Sequence, residues 1–163
     1  MTAILSIPIF GFLSILQSAI ISRLPLNRGT ADLVLIVLVA LALQKSISYT
    51  WQWSIVGGMF IDFFSGLPFG VFTASYLIAT AIALFLRDRI WRYSFLMQLL
   101  VVFIGTIISH GLTMVILIFQ GGSLGLTSVL QVITLPSIVL NFMLSLPVYI
   151  IVQDIIEQVV PQE

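Results

Sequence analysis

Long apolar runs broken by short polar clusters set the pattern of this chain. Leu33 to Leu43 holds no polar side chain at all, and Phe95 to Phe119 and Val129 to Val152 hold only scattered ones. Runs this long and this continuous predict helices, because membrane barrel strands are short and alternate in polarity. A helix needs about 20 apolar residues to cross a bilayer. The breaks then predict six spans, at about 3–22, 32–48, 52–65, 68–86, 95–119 and 129–152. The expected fold class is an all-α integral membrane protein, a compact bundle of about six transmembrane helices in a single domain over 1–163.

The most informative stretch is Gly57 to Gly70, where a carboxylate, Asp62, sits among glycines and a proline inside otherwise apolar sequence. A charge at mid-membrane costs roughly 3 kcal/mol on insertion scales, so Asp62 needs a partner, water or a shallow position. On a helix, Ser54, Gly58, Asp62 and Ser65 fall on one small, polar face. Small residues let another helix approach, and the buried polar group finds its partner there. Gly66 then reads as a left-handed cap and Pro68 as a breaker. Asp32 opens the second span at or near the N-cap, where free N–H groups favour a carboxylate. Leu33–Leu43 is too short to cross alone, so this helix is expected to continue past Gln44 and Lys45, with Lys45 snorkelling. Tyr49, Trp51 and Trp53 read as an interfacial aromatic belt. Two further polar stripes follow: Gly105, Ser109 and Thr113 with His110 beside them, and Ser137, Asn141 and Ser145 at four-residue steps. Pro136 and Pro147 predict kinks in the last span.

Composition narrows the class further. Hydrophobic residues make up 60% and charged residues 7%, with a mean hydropathy of +1.23. So few charges do not cover the surface of a soluble domain of this size. The formal net charge of zero leaves no basic surface for nucleic acid. Without cysteine there is no disulfide, thiol nucleophile or thiolate metal site, and one histidine excludes sites built on paired histidines. No catalytic, cofactor or metal constellation is read from the residues, and no nucleophile elbow or phosphate-binding loop is expected. The first span lacks a basic leader and a small-residue cleavage site, so it is expected to be retained.

The basic residues set the orientation. With six spans, Lys45, Arg87, Arg89 and Arg92 share one side with both termini, while Arg23 and Arg28 lie on the other. This favours cytoplasmic termini. Asp32 and Asp62 then lie toward the outer side with Arg23 and Arg28, and at least one of these arginines is expected to pair with one of the two carboxylates. Arg87, Arg89 and Arg92 read first as a topology signal, and otherwise as a docking patch or an anionic-lipid site. His110 reads as a neutral imidazole bonded to a neighbouring helix, against a proton relay or ligand contact.

Four local features, in order, resemble the MreD family of bacterial rod-shape-determining membrane proteins. The first span ends Leu16-Gln17-Ser18, followed by Leu24-Pro25. The second begins Asp32-Leu33-Val34-Leu35, the third carries Gly58-x-x-x-Asp62, and the following turn carries Pro68-x-Gly70. Their order and spacing carry the resemblance, which covers essentially the whole chain in span layout. One departure is Ala31, where the family often has proline; an N1 proline only assists a helix start. The resemblance implies a component of the cytoplasmic (inner) membrane that scaffolds or regulates peptidoglycan synthesis during cell elongation, without known catalysis. Its implied partners are MreC, through it RodA and a class B penicillin-binding protein, and MreB on the cytoplasmic side; membrane lipid surrounds it, and homo-oligomerisation is left open. The six-helix layout is also similar to the substrate-binding subunits of energy-coupling factor vitamin transporters, which makes such a subunit the alternative reading. Structural or partner-binding candidates are Asp62, Gly58, Ser54, Asp32, Arg23, Arg28, His110, Asn141, Arg87, Arg89 and Arg92.

Overall fold

A helix that is apolar on every side has no face to give to water and is stable only inside something else. In the computed structural model, which describes residues 2–19, 29–45, 47, 49–89, 94–122 and 125–159, the run Leu33–Leu43 meets that condition by becoming the centre of the molecule. The described residues form six helices. These are α1 (Thr2–Ala19), α2 (Leu33–Leu43), α3 (Thr50–Ser65), α4 (Val71–Arg87) and α5 (Ser94–Phe119). The sixth, α6, runs through Leu126–Val129, a π-helical turn at Leu130–Thr134, and Leu135–Val159. All the residues of α2 are buried, and the other five helices pack around it.

The second helix is therefore shorter than the 32–48 expected from the sequence. It does not continue past Gln44, which takes an extended conformation at ψ 124° and ends the helix at Leu43. Its 11 residues make a rod of about 16 Å, well under a bilayer's hydrocarbon thickness. Length is dispensable here because protein, not lipid, surrounds α2. Arg87 of α4 closes the short end: its Nη1 donates to the carbonyl of Ala42 (3.4 Å), one of the acceptors the end of α2 leaves over, and to that of Gln44 (3.1 Å). The other helices depart from the expected bounds by smaller amounts, α6 most, since it starts at Leu126 and continues to Val159.

Pro136 has no N–H to give the carbonyl four residues back. The turn just before it widens, so that Leu135 N bonds the carbonyl of Leu130, five residues earlier. This π-helical turn stands just before Pro136, where the sequence predicts a kink.

Polar side chains are buried beside the apolar centre, and large apolar ones cover the outside. Buried positions include Ser14, Ser54, Asp62, Thr106, Ser137 and Asn141. Large apolar side chains face outward on every helix except α2: Phe12, Phe63 (78% exposed), Phe85, Phe119 (86% exposed) and Met143 are among them. Two helices, Phe95–Phe119 and Thr127–Gln158, are long and apolar enough to cross a membrane.

Candidate functional site

The α3–α4 turn and the start of α2 lie at one end of the bundle, and the two carboxylates singled out by the sequence are both there. Asp62 is 3% exposed. Its Oδ1 accepts from Phe72 N at 2.7 Å, and its Oδ2 accepts from Gly70 N at 3.0 Å, Thr73 N at 3.1 Å and Thr73 Oγ1 at 2.6 Å. The backbone N–H groups among these are the orphan donors of the first turn of α4. The residue at the N-cap of α4 is Gly70, with φ +107° and no side chain to cap with. Asp62 supplies the missing cap from the preceding helix, placing its negative charge on the positive end of the α4 dipole. Gly58 makes the approach possible. A Cβ on it would lie 2.4 Å from Thr73 Cα, so only glycine lets α4 come close enough for Thr73 to reach Asp62. One turn further back, Ser54 Oγ and Thr80 Oγ1 share a hydrogen bond. The face read from the sequence as Ser54, Gly58 and Asp62 is thus the α3–α4 seam. Ser65 turns elsewhere: its Oγ donates to Asp62 O and accepts from Leu67 N, and Gly66 follows with φ +68°, the left-handed cap expected there.

Asp32 caps α2 as the sequence predicts, with Oδ1 accepting from Leu35 N at 3.1 Å. Three other helices close on the same point. Tyr76 of α4 donates its hydroxyl to the Asp32 carboxylate (2.7 and 2.8 Å), and Gln17 of α1 accepts from Val34 N at 3.0 Å. Asn141 of α6, fully buried, accepts from Asp32 N at 2.7 Å and donates to Thr106 Oγ1 of α5 at 2.8 Å. Ser137, one turn from Asn141, accepts from Thr30 N at 3.0 Å. The α6 stripe thereby satisfies the non-helical backbone that enters α2 inside the bundle, where an unbonded N–H is costly. Gly29 lies against the same helix, and a Cβ there would meet Pro136 Cβ at 2.6 Å.

Arg23 and Arg28, and with them the expected pairing to a carboxylate, lie outside the described residues, as does Arg92; the described donors on Asp32 and Asp62 are N–H and hydroxyl groups. Arg87 is used to cap α2 and pairs with Asp88 at 3.3 Å, and Arg89 lies 4.6 Å over the Phe85 ring. The aromatic belt divides. Tyr49 and Trp51 are half exposed, while Trp53 turns inward, edge-on to Phe10 at 6.0 Å. His110 Nδ1 bonds Thr134 Oγ1 of α6 at 3.1 Å, the helix-to-helix bond expected of a neutral imidazole. The sequence reading passes over Tyr76 and Thr106. Tyr76 is the lone phenol of α4, and its spacing from Asp32 carries no local signal. The string Gly121-Gly122-Ser123-Leu124-Gly125 does spell Gly-x-Ser-x-Gly, contrary to expectation. It joins two helices, not the strand and helix an elbow requires, and Ser123 and Leu124 lie outside the described residues.

Two cavities adjoin this end. One, of about 210 Å³, lies between α5, the start of α6 and the entry to α2, and includes Asp32, Thr106, Ser109 and His110 in its wall. The other, of about 350 Å³ and more open, lies beside the α3–α4 turn and includes Ser14, Gln17 and Ser65. No group of three or more metal-ligating side chains occurs among the described residues. Compared with known proteins, the chain matches no family model, no characterised sequence and no solved structure.

Proposed function

We propose that this chain is a multi-pass membrane protein that works as a non-enzymatic scaffold, binding another membrane protein through the outer faces of its helices. The observation that carries the membrane part is the coat of large apolar side chains that faces outward while polar groups are buried. Side chains such as Phe63 and Phe119 stand outward while serines, threonines, Asn141 and Asp62 are sealed within. In water that surface would drive aggregation; in lipid it is the proper solvent-facing surface. The bonding of the α2 entry supports the same reading, since irregular backbone at membrane depth is tolerated only where protein satisfies it. Few of the described residues lie outside the helices, so partners are met mainly through helix faces, where packing and polar contacts supply the affinity.

The identity of the partner rests on the resemblance to the MreD family. The features behind it have structural roles here: Gly58 and Asp62 form the α3–α4 clasp, and Asp32 and Gln17 form the α2 cap. On this reading the chain sits in the bacterial inner membrane, its termini cytoplasmic, and binds MreC, and through it RodA, a class B penicillin-binding protein and MreB. Mild-detergent pulldown with mass spectrometry tests it. Recovery of MreC in near-stoichiometric amounts is the expected outcome. The cavity beside Asp32 favours a second reading, a transporter's substrate-binding subunit. That reading requires ATPase subunits in the same pulldown, and their recovery in place of MreC would displace the scaffold.

A further inference from the structure

The cavity beside Asp32 lies beyond the N-terminal end of α2. α5 and α6 run on past the α2 cap, from Thr106 to Phe119 and from Asn141 back to Leu126, and nothing from α2 fills the space between them. Its lining changes character along α5. Thr106, Ser109, His110 and Thr113 come first, next to Asp32; Met114 and Leu117 follow, facing Val129 and Ile133 of α6. On the polar part of the wall a fully buried hydroxyl is idle. Ser109 is 2% exposed, and its Oγ makes no hydrogen bond among the described residues. A buried hydroxyl without a partner is costly. Two neighbouring groups are engaged elsewhere: Thr106 donates to Val102 O and accepts from Asn141, and His110 Nδ1 is held by Thr134.

We infer that this cavity is a binding site for a small amphiphile with a non-anionic, hydrogen-bond-donating head, a hydroxyl or an amine. The head lies against Ser109 and Asp32, and the apolar body lies along Met114, Leu117, Val129 and Ile133. The Asp32 carboxylate repels an anionic head and accepts from a donor. Size sets the class. An apolar cavity of about 150 Å³ takes up benzene, so 210 Å³ holds a head and a short chain or one ring, less than a drug-sized ligand. The source is either a membrane lipid inserting one end or a free solute. The inference is independent of which protein the scaffold binds.

Three probes of equal length, octylamine, 1-octanol and octanoate, are added to the detergent-purified full chain, and thermal unfolding is followed. Octylamine and octanol are expected to raise the melting temperature saturably, and octanoate to leave it unchanged. Ser109→Leu, which fills the cavity, is expected to weaken the octylamine response by about tenfold or more. Thr113→Leu, one turn along the same wall, serves where Ser109→Leu does not fold. Native mass spectrometry then separates the sources. A one-to-one lipid adduct displaced by octylamine identifies a lipid, and an unadducted chain that still responds identifies a solute. No response to either donor, an equal response to octanoate, or a response that survives both leucine variants would overturn the inference.

Discussion

At the scale of single residues, two aspartates set the order of the bundle by serving as helix caps. Asp32 caps its own helix; Asp62 caps the next one, because Gly70 offers nothing to cap with. Hydrogen bonds to a charged acceptor contribute about 1.5–3 kcal/mol each, and leaving their buried donors unpaired adds to the cost. Asp62→Ala is therefore expected to destabilise the fold by about 3 kcal/mol or more, read as unfolding in detergent. Asp62→Asn, which keeps one good acceptor, is expected to cost less. A side-chain cation as the principal partner of Asp62 would instead make the two variants equally damaging. Tyr76→Phe removes the hydroxyl that Asp32 accepts and is expected to cost about 1.5–3 kcal/mol. In a double-mutant cycle with Asp32→Asn, additive costs would show that the two do not act together. Asp62 is visible in the sequence because a lone carboxylate in apolar surroundings demands a partner. Its partner is not. A neighbouring helix start offers the same electrostatic relief as an arginine, and the letters Gly70-Val71-Phe72-Thr73 do not announce that their N–H groups point back at residue 62.

At the scale of helices, the α3–α4 pair shows how a small residue and a polar one act as a unit. Gly58 permits the close approach and Asp62 exploits it. Gly58→Ala places a methyl 2.4 Å from Thr73 Cα, and overpacking of this kind typically costs about 1–3 kcal/mol. A Cβ added to Gly111 of α5 would meet nothing within 4 Å, so Gly111→Ala is expected to be neutral or slightly stabilising. Equal losses of stability in the two variants would argue against close α3–α4 packing. The extent of α2 is where the sequence misleads most at this scale. An uninterrupted apolar run is equally suited to lipid and to a protein interior, and the twenty-residue rule applies only to a helix that must reach both headgroup layers itself. The purity of Leu33–Leu43 is the available clue, since its neighbours carry polar positions and it carries none. Ser137 and Asn141 are legible as a packing face, but their service to the backbone at Thr30 and Asp32 depends on a crossing more than a hundred residues apart in the chain.

At the scale of the whole molecule, the account depends on which way the polar thread and the apolar surface face. A central helix shielded on all sides, a connection bonded by α6, and an outer coat of phenylalanine, isoleucine and leucine fit a body immersed in lipid. The absence of cysteine permits single-cysteine spin labelling of the full chain in lipid bilayers, with collisions to oxygen and to a water-soluble relaxation agent measured separately. Labels at Phe12, Ile107 and Met143 are expected to meet oxygen freely and the aqueous agent scarcely, while Ser54→Cys, Ser137→Cys and Ser145→Cys are expected to be shielded from both. Free oxygen access at the serine positions, or aqueous access at the three apolar ones, would contradict the account.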